Sequence, residues 1–208
     1  MPALTQVASD PGYLEHLAEN RYFDRTFQVE AAKVLPGEFY VTTTNMVIVT
    51  VLGSCVAACL RDRERGVGGM NHFMLPDNTD DLLSSSGRYG VYAMEMLVNQ
   101  LLKIGARRNN LEAKVFGGAR VLASMSQSYV GERNSEFVLN YLKKENISLV
   151  AQDLLDIYPR KVYFFPTTGR VLVKKLVRVH NDTLVRRERD YEARLKRDKV
   201  SGDVELFG

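Results

Sequence analysis

The sequence predicts a mixed α+β fold, and three observations carry that expectation. Between residues 27 and 75 the chain is a series of short runs rich in β-branched and aromatic residues: "FQVEAAKV", "EFYVTT", "MVIVTVL" and "GVGGMNHFML". Further on, Val91, Met94, Leu97, Val98, Leu101 and Leu102 recur at the spacing of one helix face. Near the end, "KVYFFPTTGRVLVKKLVRV" reads as two strands joined by a Thr-Gly turn that suits a hairpin. A β-sheet core flanked by helices satisfies all three.

Taken in order, residues 1–25 are polar and aromatic around Pro11-Gly12 and read as an N-terminal extension, with one short helix expected at residues 13–19. The strand runs follow, separated by Pro36-Gly37 and by a charged surface turn at residues 61–65. "VAACL" is too short for periodicity to decide between strand and helix. Pro76 stops the next run, and residues 77–86 form a polar loop of a kind that often borders a site. Ser86 can start the periodic helix, and Gly105 stands where a left-handed residue ends one. "LEAKVFGGA" reads as a strand entering a Gly-Gly turn, and "NSEFVLNYLKKENI" as a helix capped by Asn134 or Ser135. From about residue 181 to 208 the chain is a charged C-terminal extension, whose pairs Asp190/Arg194 and Glu192/Lys196 fit a solvated helix. Residues 26–180 are the expected domain.

Composition sets the outer bounds. A chain of 208 residues with 45% hydrophobic and 25% charged side chains can bury one sizeable core and has no disordered or repetitive character. Its 28 basic and 25 acidic residues are too balanced to mark a nucleic-acid or membrane surface. No basic start precedes an apolar stretch at the N-terminus, so a cytoplasmic location is expected. The longest apolar run, residues 46–60, is shorter than the roughly 20 residues of a membrane helix. The two cysteines, Cys55 and Cys59, make a poor disulfide framework.

Chemistry concentrates in "TVLGSCVAACLRDRERGVGGMNH", residues 50–72. Cys55 follows a Gly53-Ser54 turn at the end of an apolar run, where backbone N–H groups can form an oxyanion hole and a helix start would lower the thiol pKa. Of three histidines, His16 and His180 lie in or beside the end segments, whereas His72 sits among small and apolar residues where an unpaired imidazole is costly. Adjacent strands joined by the turn at residues 61–66 would bring Cys55 and His72 together, so that the imidazole takes the thiol proton. Thr50 is the best local candidate to orient the ring, with Asn71 and Thr42 to Thr44 as competitors. Cys59 is most simply a packed small hydrophobe. Two thiols and one histidine match no common zinc pattern, so no metal is expected. Gly117-Gly118 lacks phosphate-loop spacing, yet could line a site by letting backbone approach closely.

The blocks "TVLGSCVAACLRD", "GVGGMNHFMLP", "YAMEMLVNQLLKIGA", "LEAKVFGGA" and "YPRKVYFFPTTGRVLVKKL", in this order, resemble the CheD family of chemoreceptor glutamine deamidases over residues 30–178. The resemblance implies a mixed α/β sandwich related to bacterial toxin deamidases. It also implies a Cys-His-Thr site, with Cys55 as nucleophile, His72 as base and Thr50 as third member. The implied reaction is hydrolysis of glutamine side chains on methyl-accepting chemotaxis receptors, supported by Gly53 and Ser54 at the oxyanion and needing no cofactor. At Leu155-Asp156 the family pattern would place a Gly-Gly pair. Two other functions fit the same residues: a non-catalytic module binding a CheC-type phosphatase, or another thiol hydrolase acting on a protein.

Overall fold

Alternation along one strand explains the architecture. In Val47–Leu52 (β4), Val47 and Val49 point to one side while Ile48, Thr50 and Leu52 point to the other, as the period of two requires, and both sides are buried. A strand buried on both faces belongs inside a layered structure. The computed structural model, which describes residues 17–76, 85–120, 129–177 and 182–197, has this form.

Two five-stranded sheets pack face to face. The first has the order β1-β2-β4-β9-β10, built from Arg21–Asp24 (β1), Val29–Lys33 (β2), β4, Arg160–Phe165 (β9) and Arg170–Lys175 (β10). The second has the order β3-β6-β5-β7-β8, from Phe39–Thr42 (β3), Val67–Asn71 (β6), Val56–Asp62 (β5), Leu111–Gly117 (β7) and Ser148–Leu154 (β8). Only β2–β4 and β7–β8 pair in parallel among the described strands. Ile48, Leu52, Val162 and Phe164 of the first sheet meet Ala57, Cys59, Met70 and Phe116 of the second in one apolar layer. Helices Ser85–Lys103 (α1) and Val130–Lys144 (α2) cover the other face of the second sheet, where Met94, Leu97, Val98, Phe137 and Val138 pack on Val56, Ala58 and Leu60. A third helix, Asp182–Arg197 (α3), follows the last strand.

Several elements differ from expectation, each for a physical reason. "VAACL" is strand, because its two neighbours β6 and β7 supply a ladder on both edges. The described end of the helix expected at residues 13–19 is extended: Leu17 bridges Phe39, and Ala18 N–H donates to the Phe39 carbonyl at 2.9 Å. Within the segment read as an N-terminal extension, β1 completes the first sheet. Helix α2 begins at Val130, so Asn134 and Ser135 lie in its second turn rather than capping it. Strand β8 has a mostly exposed surface and no clean alternation, which hid it in the sequence. The polar loop expected at residues 77–86 falls largely outside the described residues, as do His16 and His180.

Candidate active site

The turn between β4 and β5 comprises Gly53, Ser54 and Cys55, and its carbonyls are tied down one by one. Ala119 N–H donates to the Gly53 carbonyl at 2.7 Å, the Asn134 amide to the Ser54 carbonyl at 2.9 Å, and Gly118 N–H to the Cys55 carbonyl at 2.8 Å. Gly117 and Gly118, at φ +118° and +69°, adopt left-handed backbone, and a Cβ on Gly117 would lie 2.1 Å from the Cys55 carbonyl oxygen. The glycine pair noted in the sequence therefore lets a second backbone close against the turn.

With the carbonyls held on one side, the three N–H groups converge on the other. They point at a single carboxylate, that of Glu188 on α3. Its Oε1 accepts from Gly53 N–H at 3.0 Å and lies 3.4 Å from Cys55 N, while Oε2 accepts from Ser54 N–H at 3.2 Å and from the Ser54 hydroxyl at 2.8 Å. A concavity of successive N–H groups is an anion site and has the donors of an oxyanion hole. Glu188 is only 3% exposed, although the sequence read α3 as a solvated helix. The spacing Glu188, Tyr191, Leu195 places one face inward, with Tyr191 and Leu195 packed on the layer between the sheets. That i, i+3, i+7 pattern was the available signal.

The β5–β6 register sets His72 and Cys55 on one face. Cys59 pairs Met70, and an isolated bridge pairs Val56 with Phe73, so His72 stands opposite Ala57 on the face that also carries Cys55. That face looks toward β4, from which Thr50 meets the imidazole. Thr50 Oγ1 donates to the Val34 carbonyl at 2.7 Å and lies 2.8 Å from His72 Nδ1. A hydroxyl has one proton to give; with that proton on Val34, it can only accept from Nδ1–H. The neutral imidazole thus carries its proton on Nδ1 and leaves the Nε2 lone pair open. Nε2 is buried with no hydrogen-bond partner among the described residues. The competitors for the orienting role are engaged elsewhere: Asn71 bonds Ala58 N–H and the Ala93 carbonyl, and Thr42 bonds Thr44.

Thr50 and Cys55 have no exposed surface and His72 has 2%. Burial pushes the imidazole pKa down from 6.5 to about 3, opposed by a hydrogen bond to the Val34 backbone. The Cys55 thiol is pushed well above its usual value, first by burial, then by the charge of Glu188 and by a hydrogen bond to that carboxylate. Burial likewise holds Cys59 far from ionisation, and it stands as a packed small side chain. A cavity of about 20 Å³ lies beside His72, between Phe39, Tyr89 and Met96, with room for about one water. Among the described residues no cluster of three metal-binding side chains occurs, and no helix is long and apolar enough to cross a membrane.

The arrangement has a thiol, an imidazole with a free nitrogen, a hydroxyl that fixes its tautomer, and a cradle of N–H groups. Asn134 is a further member that sequence reasoning took for a cap: its Oδ1 accepts from Leu75 N–H at 2.8 Å while its amide holds Ser54. Comparison with known proteins is consistent across the chain. Residues 74–175 match the family model described as CheD chemotactic sensory transduction. A Dechloromonas aromatica protein named probable chemoreceptor glutamine deamidase CheD 1 is 65% identical over 94% of this chain and 98% of its own length. Proteins named probable chemoreceptor glutamine deamidase CheD from Janthinobacterium sp. and Methylobacillus flagellatus are 64% and 62% identical, each over 93% of this chain and 97% of their own.

Proposed function

The chain belongs to the CheD family, and from that premise we propose that it is a protein-glutamine deamidase, which converts glutamine side chains of methyl-accepting chemotaxis receptors to glutamate at the cytoplasmic face. The observation that carries the reading is the sealed pair itself: an imidazole whose Nδ1–H is given to Thr50 and whose Nε2 is unpartnered, on the face that presents Cys55. An imidazole with one nitrogen fixed and the other open, on the face that carries a thiol, has the geometry of a general base, which a pure interaction module does not need.

The chemistry follows from these positions. His72 Nε2 takes the Cys55 proton, and the sulfur attacks the carboxamide carbon, forming the C–S bond. Charge develops on the carboxamide oxygen, where the N–H groups of Gly53, Ser54 and Cys55 stabilise it. The imidazolium returns its proton to the nitrogen as the C–N bond breaks and ammonia leaves. Water then gives a proton to Nε2 and attacks the thioester; the C–S bond breaks, the sulfur recovers its proton, and glutamate remains. Thr50 holds the ring with Nε2 toward the reaction throughout.

The test is to incubate the protein with a receptor cytoplasmic fragment and follow its peptides by mass spectrometry. Deamidation raises the mass of a glutamine peptide by about one unit and leaves the chain intact, because the thioester forms on the side chain. Cleavage of the fragment would identify a thiol peptidase instead.

A further inference from the structure

The proposed site cannot receive a glutamine in this conformation. Cys55 has no exposed surface, the cavity beside His72 has room for about one water, and the N–H cradle is filled by Glu188. What fills it has the chemistry of the product. A glutamate side chain touches the thiol and lays its carboxylate across the donors that would hold a reacting carboxamide oxygen.

We propose that α3 is an intramolecular occupant of the substrate site, with Glu188 standing where the product glutamate side chain stands, so that the surface beneath α3 is the docking surface for a substrate helix. The inference rests on the functional reading above, since it takes Cys55 as nucleophile and the cradle as oxyanion hole. Three independent contacts define the footprint. Glu188 enters the cradle; at Gly53 a Cβ would lie 2.6 Å from its Oε1, so the glycine is what admits a side chain so close. Tyr191, one turn on, covers Gly37, where a Cβ would lie 2.8 Å from the phenol oxygen, and its hydroxyl meets that of Tyr89 on α1. Leu195, the next turn, packs on the apolar layer between the sheets. A substrate helix of this chemistry carries the reacting glutamine at the position that Glu188 takes on α3, and apolar or aromatic residues three and seven positions later. It competes with α3 for the same surface, and α3 must leave before it binds.

The occupant predicts a reaction on the protein itself. In Glu188→Gln the resident side chain becomes a substrate: Cys55 sulfur bonds its carboxamide carbon, the C–N bond breaks with the His72 proton going to ammonia, and one water resolves the thioester to glutamate. Purified Glu188→Gln is therefore expected to revert to glutamate at residue 188, read as a mass gain of about one unit in that peptide, whereas Glu188→Gln combined with Cys55→Ala keeps its glutamine. A second full-length variant, Glu188→Ala, removes the occupant's carboxylate. It is expected to raise both alkylation of Cys55 by iodoacetamide and conversion of a receptor fragment about tenfold or more, the change that 1.4 kcal/mol of lost closure gives. If the glutamine introduced at position 188 persists in a protein still active on the receptor fragment, the inference is overturned and the functional reading stands. Unchanged alkylation and turnover in Glu188→Ala overturn it as well. A wild-type protein that converts no receptor glutamine brings down the functional reading and this inference with it.

Discussion

Thr50→Val tests how the imidazole is set. Valine has nearly the shape of threonine and keeps the β4 packing, so the change is confined to one hydroxyl. That hydroxyl serves two buried groups, the Val34 carbonyl at 2.7 Å and the His72 Nδ1 at 2.8 Å, and its loss takes one partner from each. An unsatisfied buried polar group costs about 1–3 kcal/mol, so Thr50→Val should lower unfolding free energy by roughly 2–4 kcal/mol once local relaxation is allowed. The catalytic effect has a different origin. Without the hydroxyl at Nδ1, the ring can move its proton to Nε2, the nitrogen that takes the thiol proton in the proposed mechanism, and acid-base catalysis worth about 10²–10⁴-fold is lost. The expected result is a fall in kcat of that size with KM little changed, while Thr50→Ser, which keeps the hydroxyl, stays within about tenfold of wild type. Urea unfolding and steady-state deamidation of a receptor fragment measure the two effects separately. A Thr50→Val protein of wild-type kcat would refute the tautomer argument, whatever its stability.

Other perturbations reach different parts of the structure. Asn134→Ala strips one partner each from Leu75 N–H and the Ser54 carbonyl; it should destabilise by about 2–4 kcal/mol in urea unfolding and lower kcat by loosening the Gly53–Cys55 turn. His72 binds no proton when folded until about pH 3 but does so near pH 6.5 when unfolded. Its contribution to stability is therefore complete above pH 6.5 and is lost as pH falls; between pH 7 and pH 5 wild type should lose about 2 kcal/mol more than His72→Gln in urea unfolding. Leu155, at φ +66°, carries a Cβ where the backbone is left-handed, with its carbonyl held by the Arg160 guanidinium. Leu155→Gly should raise the urea midpoint, through an unfolding free energy higher by about 0.5–1 kcal/mol after the entropy of the added glycine is set against 1–2 kcal/mol of relieved strain. A lowered midpoint would show that the turn is held by the leucine side chain instead.

The parts of this fold that were legible in the sequence are those whose determinants are local. Alternation exposes β4, with Thr50 on the inward face, and the short charged turn at residues 61–66 predicts the β5–β6 hairpin that sets His72 on the face of Cys55. The Gly117-Gly118 pair was recognisable as a place of close backbone approach, though not as the clamp on the Cys55 turn. What stayed hidden depends on partners far away in sequence. Glu188 looks like any charge on a solvated helix, because the N–H groups that draw it inward lie about 135 positions earlier. Asn134 resembles a helix cap by type, and its actual duty at Ser54 exists only once α2 packs on the second sheet. Strand β8 borrows its order from β7, and its own residues alternate too weakly to declare it. Leu155-Asp156, where the family pattern would place glycines, keeps the left-handed backbone such glycines adopt, at φ +66° and +78°.

The central claim is that Cys55 performs the chemistry, and the most direct test compares wild type with Cys55→Ala on the same receptor fragment, counting glutamine converted to glutamate by mass spectrometry. Cys55 is fully buried and contributes little volume beyond alanine, so the variant should fold and unfold as wild type does within about 1–2 kcal/mol. Conversion by wild type and none by Cys55→Ala is the predicted result. Equal conversion by both would show that another group attacks the glutamine, and the account of this site would be wrong.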